Sequence, residues 1–164
     1  MTDALLVELE GRDGLRVRLR RARADDVPAL VRLMADDDIS AGRESSDLAP
    51  YERAFARIDA EPAQLLVLGE VDGEPVCTLQ LTVIPGLARG GALRGQVEAV
   101  RVRSDLRSRG IGEALLRWAV HELRARGCAV AQLTTDKRRT DAHCFYARLG
   151  WTASHEGFKI PLEG

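Results

Sequence analysis

Apolar residues follow two periods along this chain, and the switches between them mark the elements. Leu15 to Arg23 (LRVRLRRAR) alternates aliphatic residues with arginine, the pattern of a strand with one buried face, and Ala24, Asp25 and Asp26 offer a helix cap. From Asp26 to Ala35, Val27, Leu30, Val31 and Met34 form one helical stripe, with Pro28 tolerated in the first turn. An irregular loop rich in Asp, Ser and Gly follows, and helical period resumes from Pro50 to Ala60 through Tyr51, Ala54, Phe55 and Ile58. Leu65 to Val71 and Val76 to Ile84 read as antiparallel strands joined across Asp72 and Gly73.

A glycine-bearing loop, PGLARGGALRG, leads to a fourth strand at Val97 to Val102 (VEAVRV). Ile111, Ala114, Leu115, Trp118, Ala119 and Leu123 then mark a long helix to about Arg126. Cys128 to Thr135 reads as a fifth strand, Asp141 to Leu149 as a final helix stopped by Gly150, and Trp151 to Leu162 as one or two closing strands. One strand–helix–strand crossover among antiparallel pairs predicts a mixed sheet with helices on both faces.

The 164 residues suit a single domain over 1–164 with its own core. Hydrophobic residues at 45% and charged residues at 30% are those of a soluble protein, and no apolar run is long enough for a membrane span. Asp3, Glu8 and Glu10 speak against an export signal, and a cytoplasmic location is expected. The net charge of −1 gives no case for nucleic acid as the main partner. Cys77, Cys128 and Cys144 lack disulfide or zinc spacing, so a reduced compartment and no metal are expected. Cys77 and Cys128 read as small core residues, and Cys144 as a poor nucleophile.

The chemistry concentrates at RSRGIG, Arg107 to Gly112, between the fourth strand and the long helix. A helix start offers unpaired N–H groups and partial positive charge to a phosphate, and Gly110 and Gly112 clear the approach. A dinucleotide fingerprint would need Gly or Ala where Leu115 stands, and a nucleotide-hydrolase loop would need Lys and Ser or Thr where Glu113 and Ala114 stand. The pattern Arg/Gln-x-x-Gly-x-Gly/Ala does fit, through Arg107, Gly110 and Gly112. The later segment A-x-x-F-Y-x-x-x-G-aromatic fits through Ala142, Phe145, Tyr146, Gly150 and Trp151. With these motifs in this order, the last two thirds of the chain resembles the GNAT acyltransferases.

That resemblance implies an α/β (mixed α+β) fold, with a central mixed sheet of about seven strands flanked by four helices. It also implies that the fourth and fifth strands splay to admit the pantetheine arm of acetyl-CoA, the cosubstrate. Contacts to the coenzyme are then expected along Val100, Arg101 and Val102, and around the turn at Arg107, Ser108, Arg109, Gly110, Ile111, Gly112 and Glu113. Val100 N–H would hold the oxyanion. Relatives often carry Asn where this chain has Arg139, so Arg139, or Lys137 and Arg138, would take over that contact.

Acyl transfer to an amine needs a base, an oxyanion donor and an acid for the departing thiolate. Glu98 is an unusual acid in a valine-rich strand, and alternation places Glu98, Val100 and Val102 on one face. Read alone, Glu98 is either a base or an edge-strand charge facing water or an arginine. Related enzymes often have a Glu at this spacing from the coenzyme-binding valine, which favours the base. Tyr146 stands at the family's acid position, against the alternative of a core tyrosine with a locally satisfied hydroxyl. His143 and His155 are lesser candidates, and His121 faces solvent.

The expected activity is direct, acetyl-CoA-dependent N-acetylation of a primary amine on a small molecule, such as an antibiotic, a polyamine or an amino-acid derivative. Acetylation of a protein or peptide, and a non-catalytic coenzyme A-binding module, are the alternatives, and a homodimer is left open. Specificity would come from the acidic loop Asp36, Asp37, Asp38 to Asp47, the start of the second helix and the loop from Pro85 to Gly95. An acidic loop suits a cationic acceptor, or is simply solvated.

Overall fold

The computed structural model describes residues 5–36 and 41–162. Contacts divide the chain into two units, Met1–Gln132 and Leu133–Gly164.

The first unit is built on a sheet of six strands in chain order: β1 (Leu5–Glu10), β2 (Arg16–Arg21), β3 (Gln64–Val71), β4 (Glu74–Ile84), β5 (Leu93–Val102) and β6 (Cys128–Leu133). The first five strands pair antiparallel in succession. The crossover helix α4 (Ile111–Ala125) joins β5 to β6, which brings β6 alongside β5 in parallel and makes the sheet mixed. The strand predicted fourth is therefore β5, and the fifth is β6, because Leu5–Glu10 forms a strand of its own at the edge.

Register sorts the side chains between two faces. On one, Leu66 and Leu68 pack with Val27, Leu30, Val31 and Leu33 of α1 (Val27–Ala35) and Phe55 of α2 (Ala49–Ala60). On the other, Leu115, Ala119 and Leu123 of α4 are buried, and a Cβ on Gly95 of β5 would stand 2.5 Å from the Leu123 methyls. Gly95 is what lets the long helix lie directly on β5.

The expected turn at Asp72 and Gly73 joins β3 to β4, both residues having positive φ. The loop after β4 contains one short helical turn, α3 (Ala88–Gly91), so the described residues form five helices rather than four. In the second unit, α5 (Thr140–Arg148) forms where the periodicity placed it, and Gly150 ends it with positive φ. The closing strands expected from Trp151 to Leu162 do not form among the described residues, where the segment is irregular.

Asp26 does not cap α1 with its side chain. It turns back to Arg20 on β2, whose Nη1 and Nη2 donate to Asp26 Oδ2 and Oδ1 at 2.7 and 2.9 Å, while Nη2 also meets Glu70 Oε1 of β3. Arg20 is 9% exposed, so this bidentate pair ties strand to helix largely away from water. Burial raises the Asp26 pKa, but the Arg20 guanidinium and the Arg23 N–H outweigh it and hold the carboxyl below its usual range. The resulting stabilisation is complete above the unfolded value of about 3.9 and is lost as pH falls through the lower folded value. Arg20→Met should therefore cost about 3 kcal/mol in neutral urea melts. The gap should narrow in acid as the two stranded carboxylates protonate, and a neutral loss near zero would mean that water already screens the pair.

Candidate active site

The turn entering α4 is shaped by two residues with positive φ, Ser108 at 64° and Gly110 at 83°. A Cβ on Gly110 would stand 2.9 Å from Arg12 Cγ and 3.0 Å from Arg12 N. Arg12 N–H in turn donates to Arg109 C=O at 2.6 Å, so the 3-10 turn Arg12–Gly14 braces the glycine turn from behind. The first backbone bond into the helix is Ala114 N–H to Gly110 C=O at 3.0 Å. The N–H groups of Ile111, Gly112 and Glu113 thus have no carbonyl within the helix and are available to an anion.

The arginines around this turn divide the work. Arg107 Nε donates to Val102 C=O at 3.1 Å, and its Nη2 reaches the Asp36 carbonyl and carboxylate. Arg107 therefore clamps the end of β5 and the end of α1 to the turn. Arg103 is held by Asp105 at 2.6 Å, and the Glu113 carboxylate pairs with Arg117 at 2.9 Å. Arg101 folds onto Val100 C=O at 2.9 Å. The Arg103 guanidinium, and more weakly the Arg109 charge, hold the Asp105 carboxyl below its usual range, and among the described residues Arg109 makes no side-chain hydrogen bond.

β5 is not an unbroken strand. Gln80 lies opposite Glu98 and Thr78 opposite Arg101, so Ala99 and Val100 together face Leu79 in a β-bulge, and Ala99 takes φ 51°. The bulge corrects the face predicted by simple alternation. Glu98 shares a face with Arg101, Gln80 and the Leu66 side of the sheet, while Val102 lies opposite Cys77 on the α4 side. Arg103 N–H donates to Val76 C=O at 2.8 Å, which fixes the phase of the ladder. Positions 101 and 103 turn their backbone to β4, and Val100 and Val102 turn theirs away, toward the β6 side. Gln132 Nε2 donates to Gln96 Oε1 at 2.7 Å, and β6 ends one residue later, so Ala99 to Val102 run on beyond it. An outward-facing backbone edge of this kind can bind an extended chain through hydrogen bonds.

Glu98 is exposed and makes no hydrogen bond or ion pair among the described residues. The arginine partner considered from the sequence is not there. The acids of the loop after α1 have other partners: Asp36 Oδ2 accepts from Ser104 N–H, Glu44 from the Tyr51 hydroxyl, and Asp47 from Ala49 N–H. Asp37 and Asp38 lie outside the described residues. Cys77 is buried, and desolvation pushes its thiol up to about 12, which makes it inert.

In the second unit Tyr146 is half-buried on α5 with its ring against Phe145 and Trp151, at centroid distances of 5.4 and 6.3 Å. Arg139 starts the helix, its C=O accepting from His143 N–H at 3.1 Å, and His143 Nε2–H donates to Asp136 C=O at 3.1 Å. His143 is thereby a local structural residue. Lys137 and Arg138 pair with Glu156 and Asp136, each within 2.8 Å.

Residues 28–151 match the model of the acetyltransferase (GNAT) family. An aminoalkylphosphonate N-acetyltransferase of Salmonella typhimurium (strain LT2) is 29% identical over 144 residues, which span 88% of this chain and 90% of that protein. Among solved structures, a Bacillus halodurans C-125 protein described as a transcriptional regulator is similar at 39% identity and TM-score 0.85, over 89% of this chain and 99% of that one. A GCN5-related N-acetyltransferase from Ralstonia eutropha JMP134 is similar at 27% identity and TM-score 0.71, over 90% and 99% of the two chains. With the glycine turn and the bulged strand inside the matched region, the chain belongs to the GNAT family of acetyltransferases, whose acyl donor is acetyl-CoA, and it is an N-acetyltransferase.

Proposed function

We propose that the protein transfers the acetyl group of acetyl-CoA directly to the primary amine of a small molecule. The observation that carries this reading is the β5 bulge: one strand segment presents an unpartnered carboxylate at Glu98 and outward backbone at Val100 and Val102, just before the glycine turn. Acetyl-CoA supplies an activated thioester, and the chain supplies position and proton transfer.

Ile111, Gly112 and Glu113 N–H would hold the diphosphate, with Arg109 beside them, and Ser108 would hold the turn open. Val102 N–H would fix the pantetheine arm, since its carbonyl already accepts from Arg107. Val100 N–H would stabilise charge on the acyl oxygen, a contribution of about 10²–10³ in rate for one donor. An alkylammonium has a pKa of about 10.4, so Glu98 would take its proton, directly or through water. Tyr146 would return a proton to the thiolate, and Arg139 would stand in for the Asn of relatives.

The experiment is release of free thiol from acetyl-CoA across a panel of small amines and a lysine-containing peptide. Small amines are expected to be the better acceptors. Faster reaction with the peptide would reverse the substrate class.

A further inference from the structure

The sheet face that carries Glu98 changes character along its length. Beneath α1 and α2 it is apolar, through Leu66 and Leu68. Beyond their cover it becomes a row of neutral hydrogen-bonding groups drawn from four strands: Gln64 on β3, Gln80 and Thr82 on β4, Gln96 on β5 and Gln132 on β6. All are half-buried. They lie on one face because Gln64 is opposite Thr82, Gln80 opposite Glu98, and Thr82 opposite Gln96.

The row is internally bonded in a way that fixes what it offers outward. Gln80 Nε2 and Thr82 Oγ1 both donate to Gln64 Oε1 at 2.8 Å, and Gln132 Nε2 donates to Gln96 Oε1 at 2.7 Å. These bonds set the amide orientations. Among the described residues Gln64 and Gln96 keep both N–H donors of their amides, while Gln80 keeps its carbonyl and Thr82 its lone pairs. Neighbouring strands stand about 4.8 Å apart, so these groups recur at the spacing of a small molecule's substituents around the Glu98 carboxylate. The row itself contains no cation. Arg94 stands at its outer end opposite Ile84, and Arg101 lies past the bulge with its guanidinium folded onto Val100 C=O.

We infer that this row is the floor of the acceptor subsite, and that the acceptor is a primary amine flanked by neutral hydroxyl or amide groups. The inference rests on the transferase reading above, with Glu98 receiving the amine. Half-buried amides left without a ligand partner disfavour an apolar acceptor, and with Arg94 and Arg101 only at the two ends of this face an anionic substituent lying over the row has no cation beneath it. The acceptor class therefore differs from the aminoalkylphosphonate named for the Salmonella relative.

Serinol, isopropylamine and aminoethylphosphonate separate these possibilities, because the first two share a skeleton and differ only in hydroxyls. The expected kcat/KM is about 100-fold higher for serinol than for isopropylamine, with the phosphonate also poor. Gln80→Leu and Gln64→Met should each reduce the serinol-to-isopropylamine ratio about tenfold, a change that a general loss of stability would not produce. In the unmodified protein, serinol should shift the side-chain amide NMR signals of Gln64, Gln80 and Gln96, and isopropylamine should not. Equal use of serinol and isopropylamine, preference for the phosphonate, or an unmoved ratio in both variants would overturn the inference and leave the transferase standing. Failure of all three amines to release thiol would overturn the small-amine reading and this inference together.

Discussion

Glu98→Gln is expected to lower kcat/KM for amine acetylation by about 10²–10³ while acetyl-CoA still binds. The substitution keeps the shape and removes only the capacity to accept a proton. Glu98 is exposed and has no partner among the described residues, so no ion pair is broken and the fold should melt at an unchanged temperature. If its role is to deprotonate the incoming ammonium, the deficit should shrink as pH rises toward the amine's own pKa, because solvent then supplies the neutral nucleophile. A deficit independent of pH would reassign Glu98 to holding the amine in place. Unchanged activity would remove it from the mechanism.

Gly110→Val should weaken acetyl-CoA binding by at least about tenfold and destabilise the protein by about 2 kcal/mol. Two costs combine. The backbone sits at φ 83°, where a β-branched residue is strained, and the new side chain would meet Arg12 Cγ at 2.9 Å and Arg12 N at 3.0 Å. Relief requires the Arg12–Gly14 turn to move back, and the bond from Arg12 N–H to Arg109 C=O goes with it. The N–H groups at the start of α4 would then no longer converge. Calorimetric titration gives the affinity, and a urea melt separates it from global stability. Normal affinity in a destabilised variant would detach the glycine turn from coenzyme binding.

Much of the fold is legible because its signals are local. The stripe from Ile111 to Leu123, the turn at Asp72 and Gly73, and the alternation from Leu15 to Arg23 each recur as the element they predict. The bulge in β5 is different. VEAVRV reads as unbroken alternation, and Ala99 adopts positive φ without a Gly or Asn to announce it, so Glu98 and Val102 look co-facial when they are not. The cause is the pairing with β4, which is not written in β5 itself.

Long-range partners are hidden for the same reason. Arg107 reads as a phosphate ligand from its motif, yet its donors find carbonyls at Val102 and Asp36, the latter 71 positions away. Phe158, Ile160 and Leu162 alternate like a strand, but alternation alone forms none, and the described segment stays irregular with all three exposed. Leu5–Glu10 is the converse. LLVELE alternates Leu5, Val7 and Leu9 as a strand does, but only Leu9 is buried, and it is the pairing with β2 that makes it a strand. The two site motifs were readable as a family pattern, whereas the polar row on the Glu98 face emerges only once register places residues from four strands together.

In the proposed mechanism the bulged end of β5 and the start of α4 together hold acetyl-CoA. Titrating isotopically labelled protein with acetyl-CoA while following backbone amide NMR signals tests it most directly. The predicted result is that the amides of Val100, Val102, Ile111, Gly112 and Glu113 shift together with a single affinity, ahead of those elsewhere in the sheet. Binding that moves other amides and leaves these five in place, or no binding at all, would contradict it.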